Sequence, residues 1–154
     1  MIIYIDQQEK LPLVFPQDYI KKRRVVKMSY GDYGCTINGN KCPIMFERKS
    51  KSDLWGTLGS TKAKHERFKR EIARCHKAGH QLIVIVERSV TDILKGHSFR
   101  KGGKVIKCKV GGLALFRTIN TFEEKYAVRF IFCRDRDEMS TTIAERFLAW
   151  GKLQ

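Results

Sequence analysis

The stretch PIMFERKSKSDL, residues 43–54, sets an apolar run, Ile44-Met45-Phe46, directly against the acid Glu47 and the bases Arg48 and Lys49. Such a run reads as a buried strand that delivers charge at its end. Side chains alternate faces along a strand, so Glu47 and Lys49 project to one side and Arg48 to the other. A carboxylate and an ammonium side by side can do chemistry. The oxygens can ligate a hard divalent cation such as Mg²⁺. The lysine can position a water or offset charge building on a phosphoryl oxygen. The same two residues would also make an ordinary same-face ion pair.

One carboxylate holds magnesium poorly, so a second acid is required. Asp32, in YGDYG at 30–34, is the natural supplier, because the intervening sequence reads as a hairpin. Asn38-Gly39 marks its turn, since both residue types tolerate positive φ. Asp53, at the start of the next helix, and Asp6, closing the first strand, are further candidates. Two of these acids have a plainer alternative: a turn residue for Asp32, a helix-start acid for Asp53.

Working outward, MIIYID at 1–6 reads as a buried strand and LPLVFP as an extended connection. A strand is expected around Val25 to Met28, followed by a turn at Gly31 to Gly34. After Lys51 the pattern becomes helical, with Ser52 as N-cap and Leu54, Trp55 and Leu58 on one face. A second helix runs from about Ser60 to Ala78 on Phe68, Ile72 and Cys75, and Gly79 ends it. QLIVIVE reads as a central strand, apolar on both faces as parallel strands are. Residues 95–112 hold Lys95, Arg100, Lys101, Lys104, Lys107 and Lys109 among glycines with no acid, a mobile basic loop or ribbon. A helix through Leu113, Phe116, Ile119 and Phe122, a strand in AVRFIFC, and a last helix complete the chain. The apolar side of that helix, Met139, Ile143, Phe147 and Trp150, serves either a homodimer or the chain's own core. The order predicts an α/β domain with a mixed sheet and helical crossovers.

The chain has 154 residues, the size of one domain with one core. Hydrophobic residues make up 42%, enough to fold. No apolar run is long enough to span a membrane, and no secretory signal is visible. The five cysteines are scattered and odd in number, which favours reduced thiols in a cytosolic setting. A zinc site from Cys35, Cys42 and a histidine fits no trusted spacing. The 31 Lys and Arg against 16 Asp and Glu give a net charge of +15. Such an excess costs self-repulsion and points to a polyanionic partner, nucleic acid before an anionic membrane, unless it serves only solubility. His97, in the basic segment, can touch a phosphate.

Together, Gly31-Asp32, Glu47-Arg48-Lys49 and Asp53 resemble the nuclease signature of the XPF family of structure-specific endonucleases. That signature is Gly-Asp, a gap, Glu-Arg-Lys, and an aspartate four residues after the lysine. YIDQQEKLP resembles the family's opening strand, with Gln8 where the family has arginine. HERFKREI, with Arg67-Phe68, resembles its helix. The resemblance implies a PD-(D/E)XK, restriction-endonuclease-like fold and cleavage of DNA dependent on Mg²⁺ or Mn²⁺. It assigns metal binding to Asp32, Glu47 and the backbone carbonyl of Arg48, catalysis to Lys49, and support to Asp53, Asp6 and Arg67. The sequence leaves no room after Gln154 for the tandem helix-hairpin-helix module of many relatives. A compact stand-alone nuclease of viral or prokaryotic origin is therefore expected, cytoplasmic or nucleoid-associated.

The expected activity is endonucleolytic hydrolysis of branched or flapped DNA. Arg48, Lys51, Arg100, Lys101, Lys104, Lys107 and Lys109 are candidate DNA contacts. The alternatives are a Holliday-junction resolvase or restriction-type nuclease on the same fold, or a non-catalytic DNA-binding module.

Overall fold

The computed structural model describes residues 1–154. Its strands are β1 (Ile2–Asp6), β2 (Lys22–Val26), β3 (Tyr33–Ile37), β4 (Asn40–Lys41), β5 (Ile44–Lys49), β6 (Gln81–Val86), β7 (Ser98–Lys101), β8 (Lys104–Lys107) and β9 (Arg129–Phe132). Its helices are α1 (Lys51–Leu58), α2 (Lys62–Lys77), α3 (Val90–Leu94), α4 (Gly112–Tyr126) and α5 (Arg136–Gly151).

The main sheet runs in the order β2-β1-β3-β5-β6-β9, with β4 paired to β3. β1 and β3 are antiparallel, as are β3 and β5, whereas β6 lies parallel to both β5 and β9. That is the mixed α/β sheet the sequence predicts. Leu82, Ile83, Val84, Ile85 and Val86 of the central strand β6 are all at or below 2% exposure, which is why its sequence does not alternate.

Strand alternation divides the core in two. Met45, Leu82, Val84 and Val86 face α1, α2 and α4, packing with Leu54, Trp55, Phe68, Ile72, Ile119 and Phe122. Phe46, Ile83, Ile85, Ile3 and Ile5 face α5, packing with Met139, Ile143, Ala144 and Phe147. Each large apolar side chain, fully buried, contributes roughly 1.5–3 kcal/mol.

Several local expectations shift. The N-cap of α1 is Ser50, which accepts from the Asp53 N–H, rather than Ser52. The strand expected at Val25 to Met28 lies at Lys22–Val26, because it pairs residue by residue with β1. Gly34 belongs to β3 and not to a turn. Leu113 is 55% exposed, since the buried side of α4 runs through Leu115, Ile119 and Phe122. The short helix α3 carries too few residues to show a period in sequence. The basic segment contains an antiparallel ribbon, β7 with β8, every residue of it exposed. Asn38 (φ 51°) and Gly39 (φ 87°) make the tight turn of the β3–β4 hairpin.

Of the two uses expected for the apolar side of α5, the structure shows burial in the chain's own core. Met139, Ile143 and Phe147 are each 0% exposed there, and Trp150 packs on the edge of the same cluster.

Candidate active site

Glu47 and Lys49 close β5 on the side of the sheet that α1, α2 and α4 cover, as their spacing requires. Lys49 Nζ donates to Glu47 Oε1 at 2.5 Å, and each side chain is 13% exposed. The ammonium also sits 5.6 Å from the centroid of the Phe68 ring on α2. Burial pulls the Lys49 pKa down, but the Glu47 carboxylate outweighs it and holds the amine above its ordinary value. Lys49 is therefore a fixed cation at neutral pH.

Asp32 is brought alongside by the start of β3. Its N–H donates to the Phe46 carbonyl at 2.6 Å, and its own carbonyl accepts from the Asp6 N–H at 2.9 Å. Gly31 makes this approach possible. Its φ is +65°, and an added Cβ would stand 3.1 Å from the Phe46 carbonyl oxygen. The Asp32 carboxylate accepts the Arg48 N–H at 2.7 Å. Burial first, and then the charge of Glu47, push the Asp32 pKa up to about 8 despite that bond. Burial likewise raises Glu47, helped by the charges of Glu71 and Glu9, against the pull of Lys49. Two adjacent carboxylates with incompletely offset charge attract a cation.

The side chains of Asp32 and Glu47 offer oxygen donors only. No group of three or more His, Cys, Asp or Glu side chains is gathered as a metal cluster. A pair of carboxylates suits Mg²⁺, which keeps several waters and shares its shell with substrate phosphates. The zinc alternative at Cys35 and Cys42 gains no such grouping, and all five thiols are free.

Arg48 goes the other way. Its guanidinium grips Glu9 through Nε at 2.7 Å and Nη2 at 3.1 Å, and reaches Glu87 through Nη1 at 3.1 Å. Arg136 joins Glu87 at 3.4 Å and donates to the Leu11 carbonyl at 2.6 Å. The Glu9 side chain is only 5% exposed, so this is a tight fork-to-fork pair. Its effect is to fix the main chain of Arg48, whose N–H holds Asp32. The placement differs from the expected DNA contact, because carboxylates occupy the guanidinium.

The remaining expected residues divide. Asp6, 8% exposed, accepts the Met28 N–H at 2.9 Å and so braces the loop leading into Asp32. Asp53 hydrogen-bonds Ser50 at the start of α1 and lines a separate cleft with Lys10, Arg48, Glu87 and Arg136. Its N–H also donates to the Ser50 hydroxyl, at 3.1 Å. Lys51 donates to the Asp92 carbonyl at 2.8 Å and lies over Trp55. Arg67 is exposed on α2, whereas Glu71, one turn further, accepts from the Gly31 N–H at 3.4 Å. Arg100, Lys101, Lys104 and Lys107 are all exposed on the ribbon, and Lys109 lies just beyond it.

Glu9, Glu71 and Glu87 are the site residues that sequence reasoning missed. Glu9 had a signal, standing where the resembling strand places its glutamate. Glu71 had the helical spacing from Arg67, which puts it one turn along the same helix. Glu87, just beyond β6, had none.

No curated protein matches the chain. Among solved structures, XPF from Aeropyrum pernix superposes with a TM-score of 0.63 at 17% identity, over 97% of this chain and 65% of that one. XPF from Aeropyrum pernix in complex with DNA gives 0.63 at 17% identity, over 96% of this chain and 64% of that one. The chain thus spans about 65% of the length of the solved structures it matches, and at this identity the likeness establishes the fold, which is the PD-(D/E)XK-like one expected. The ERCC4 domain model matches residues 5–145, so the chain belongs to the ERCC4 domain family and has the fold of an XPF nuclease domain.

Proposed function

We infer that the protein is a divalent-metal-dependent endonuclease that hydrolyses phosphodiester bonds in branched or flapped DNA. The observation that carries this reading is the bond of the Asp32 carboxylate to the Arg48 N–H, next in the chain to Glu47 and its partner Lys49, with the charge of Glu47 felt at Asp32. In this reading Asp32, Glu47 and the Arg48 carbonyl hold Mg²⁺ or Mn²⁺. When bound, the cation supplies acidification of water and withdrawal of phosphoryl charge.

The chain's own groups do the rest. The Arg48 N–H orients Asp32 by a bond that the Glu9 pair keeps in register. Lys49, protonated and held by Glu47, offers its ammonium to the non-bridging oxygen on which charge develops. Asp6 and Glu71 hold the loop that presents Asp32.

DNA is the substrate that fits the charge. The net charge is +15, and the ribbon alone presents Arg100, Lys101, Lys104 and Lys107. The ribbon is mounted firmly. Cys108 N–H donates to the His97 carbonyl at 2.9 Å, and Trp55 Nε1 donates to the Val110 carbonyl at 2.9 Å. Trp55 belongs to α1, which leaves directly from the strand bearing Glu47 and Lys49, so the root of the basic ribbon is tied to the element that follows the carboxylates. The XPF structure solved in complex with DNA supports the same assignment.

The test is a cleavage panel of flap, fork, four-way junction and linear duplex, each with and without Mg²⁺ or Mn²⁺. Cation-dependent cutting of the branched members is expected. Binding without cutting under every cation would instead identify a non-catalytic DNA-binding module. Preferential symmetric cutting of four-way junctions would identify a resolvase.

A further inference from the structure

A cavity of about 400 Å³ opens on the same side of the sheet as the carboxylate pair. Its floor is built from Tyr4, Gly34 and Met45. Each stands two residues from a site acid on its own strand or the residue leading into it: Tyr4 from Asp6, Gly34 from Asp32, Met45 from Glu47. Residues two apart share a face and are separated by about 7 Å. The cavity is therefore one strand repeat away from the carboxylates along three neighbouring strands at once.

The walls are soft and partly aromatic. Met28 and Tyr30 come from the loop that Asp6 braces, and His80 comes from the turn just after α2. Tyr30 and His80 face each other with ring centroids 5.6 Å apart. Gly34 leaves the floor low, since a Cβ there would stand 3.1 Å from the sulfur of Met45. One polar atom is unanswered: Nδ1 of His80 is buried and has no hydrogen-bond partner, the one such side-chain atom in the protein. At the rim, Lys27 and Lys41 are exposed.

We propose that this cavity binds an unpaired nucleobase of the DNA strand, that of a nucleotide next to the phosphodiester cut at Asp32 and Glu47. The proposal rests on the nuclease reading and adds a subsite to it. A nucleobase is flat and apolar on its faces and is flanked by phosphates, and the cavity offers a surface for each. Tyr30 and the methionines take the faces. The His80 ring, which lines the cavity beside Tyr30, adds a second aromatic contact. Lys27 and Lys41 take the flanking phosphates. An unpaired base enters without the cost of breaking a base pair, so the subsite favours cutting where a strand departs from a duplex.

The experiment uses a flapped duplex in which a single abasic unit is moved, one position at a time, through the unpaired strand and the adjoining pairs. Binding is read by fluorescence anisotropy without divalent cation, and cleavage in Mg²⁺. The expected result is a loss of about tenfold in affinity at one position beside the cut, with the other positions near unity, as removal of one stacked base produces. Tyr30→Leu and His80→Ala should each flatten that profile while still binding the duplex, with folding checked by thermal melting. A flat abasic profile from a wild-type protein that cuts the flap overturns the subsite and leaves the nuclease reading standing. A wild-type protein that neither binds nor cuts any DNA overturns both.

Discussion

The main-chain N–H of Arg48 donates to Oδ2 of Asp32 at 2.7 Å, while the side chain of the same arginine is clamped by Glu9 on the opposite face of the sheet. One residue thus ties Asp32 to a buried ion pair through its own backbone. This predicts that Glu9→Ala, which removes both bonds of the fork and leaves the guanidinium only its contact with Glu87, destabilises the fold by about 3 kcal/mol. Urea unfolding measures it. Lys10→Ala, at an exposed neighbour, should leave the midpoint unchanged. Equal midpoints for Glu9→Ala and the wild type would contradict the role of the pair.

The raised pKa of Asp32 predicts a link between pH, stability and cation. Its carboxyl titrates at about 8 in the folded protein against an ordinary 3.8, so the folded state binds more protons between those values. The contribution of Asp32 to stability is full below about pH 4 and is lost as pH rises through about 8. A cation needs the ionised form, so below that range it displaces a proton and binds less tightly. Thermal melts with and without Mg²⁺ should show a larger stabilisation at about pH 8.5 than at about pH 6. Asp32→Asn should abolish that increment. A larger increment at the lower pH would reverse the assignment.

Lys49 predicts a separation of binding from chemistry. Lys49→Met removes the ammonium but leaves both carboxylates. Cleavage should fall about 10²- to 10³-fold, the scale of removing one preorganised donor. Affinity for Mg²⁺, read by calorimetry, should hold or rise, because a neighbouring positive charge is gone. Loss of cation binding together with cleavage would make the lysine a structural partner only.

Much of this site was legible in the sequence, and the parts that were not have a common cause. The apolar run before Glu47 marked β5, and strand alternation then dictated that Glu47 and Lys49 share a face and that Arg48 leaves it. Asn38-Gly39 marked the hairpin that returns β3 to β5. Gly31 before Asp32 was legible as a turn residue, but the close approach to the Phe46 carbonyl that demands glycine appears only in three dimensions. Asp53 fits the signature by spacing, but it follows the end of β5, where strand alternation no longer sets direction, so its bonds to Ser50 were not legible. Glu9, Glu71 and Glu87 come from segments far apart in the chain, and no local period connects them. The α5 stripe was correctly apolar, but periodicity gives a face without naming what covers it.

The ribbon predicts an electrostatic signature. Replacing Arg100, Lys101, Lys104 and Lys107 together by Ala should leave the fold intact, since all four are exposed and the ribbon root is held by Trp55 and His97. DNA affinity should fall, and the slope of log affinity against log salt should shrink by about 0.9 for each phosphate no longer neutralised. Anisotropy titrations at several salt concentrations measure it. An unchanged slope would place the DNA elsewhere on the surface.

Glu47→Gln, assayed on flapped DNA for binding and for cutting in Mg²⁺, probes the proposed chemistry most directly. The substitution keeps size and an acceptor for Lys49 while removing the charge. Wild-type affinity for the DNA with cleavage reduced to background is the predicted result. Cleavage at the wild-type rate by this variant would contradict it.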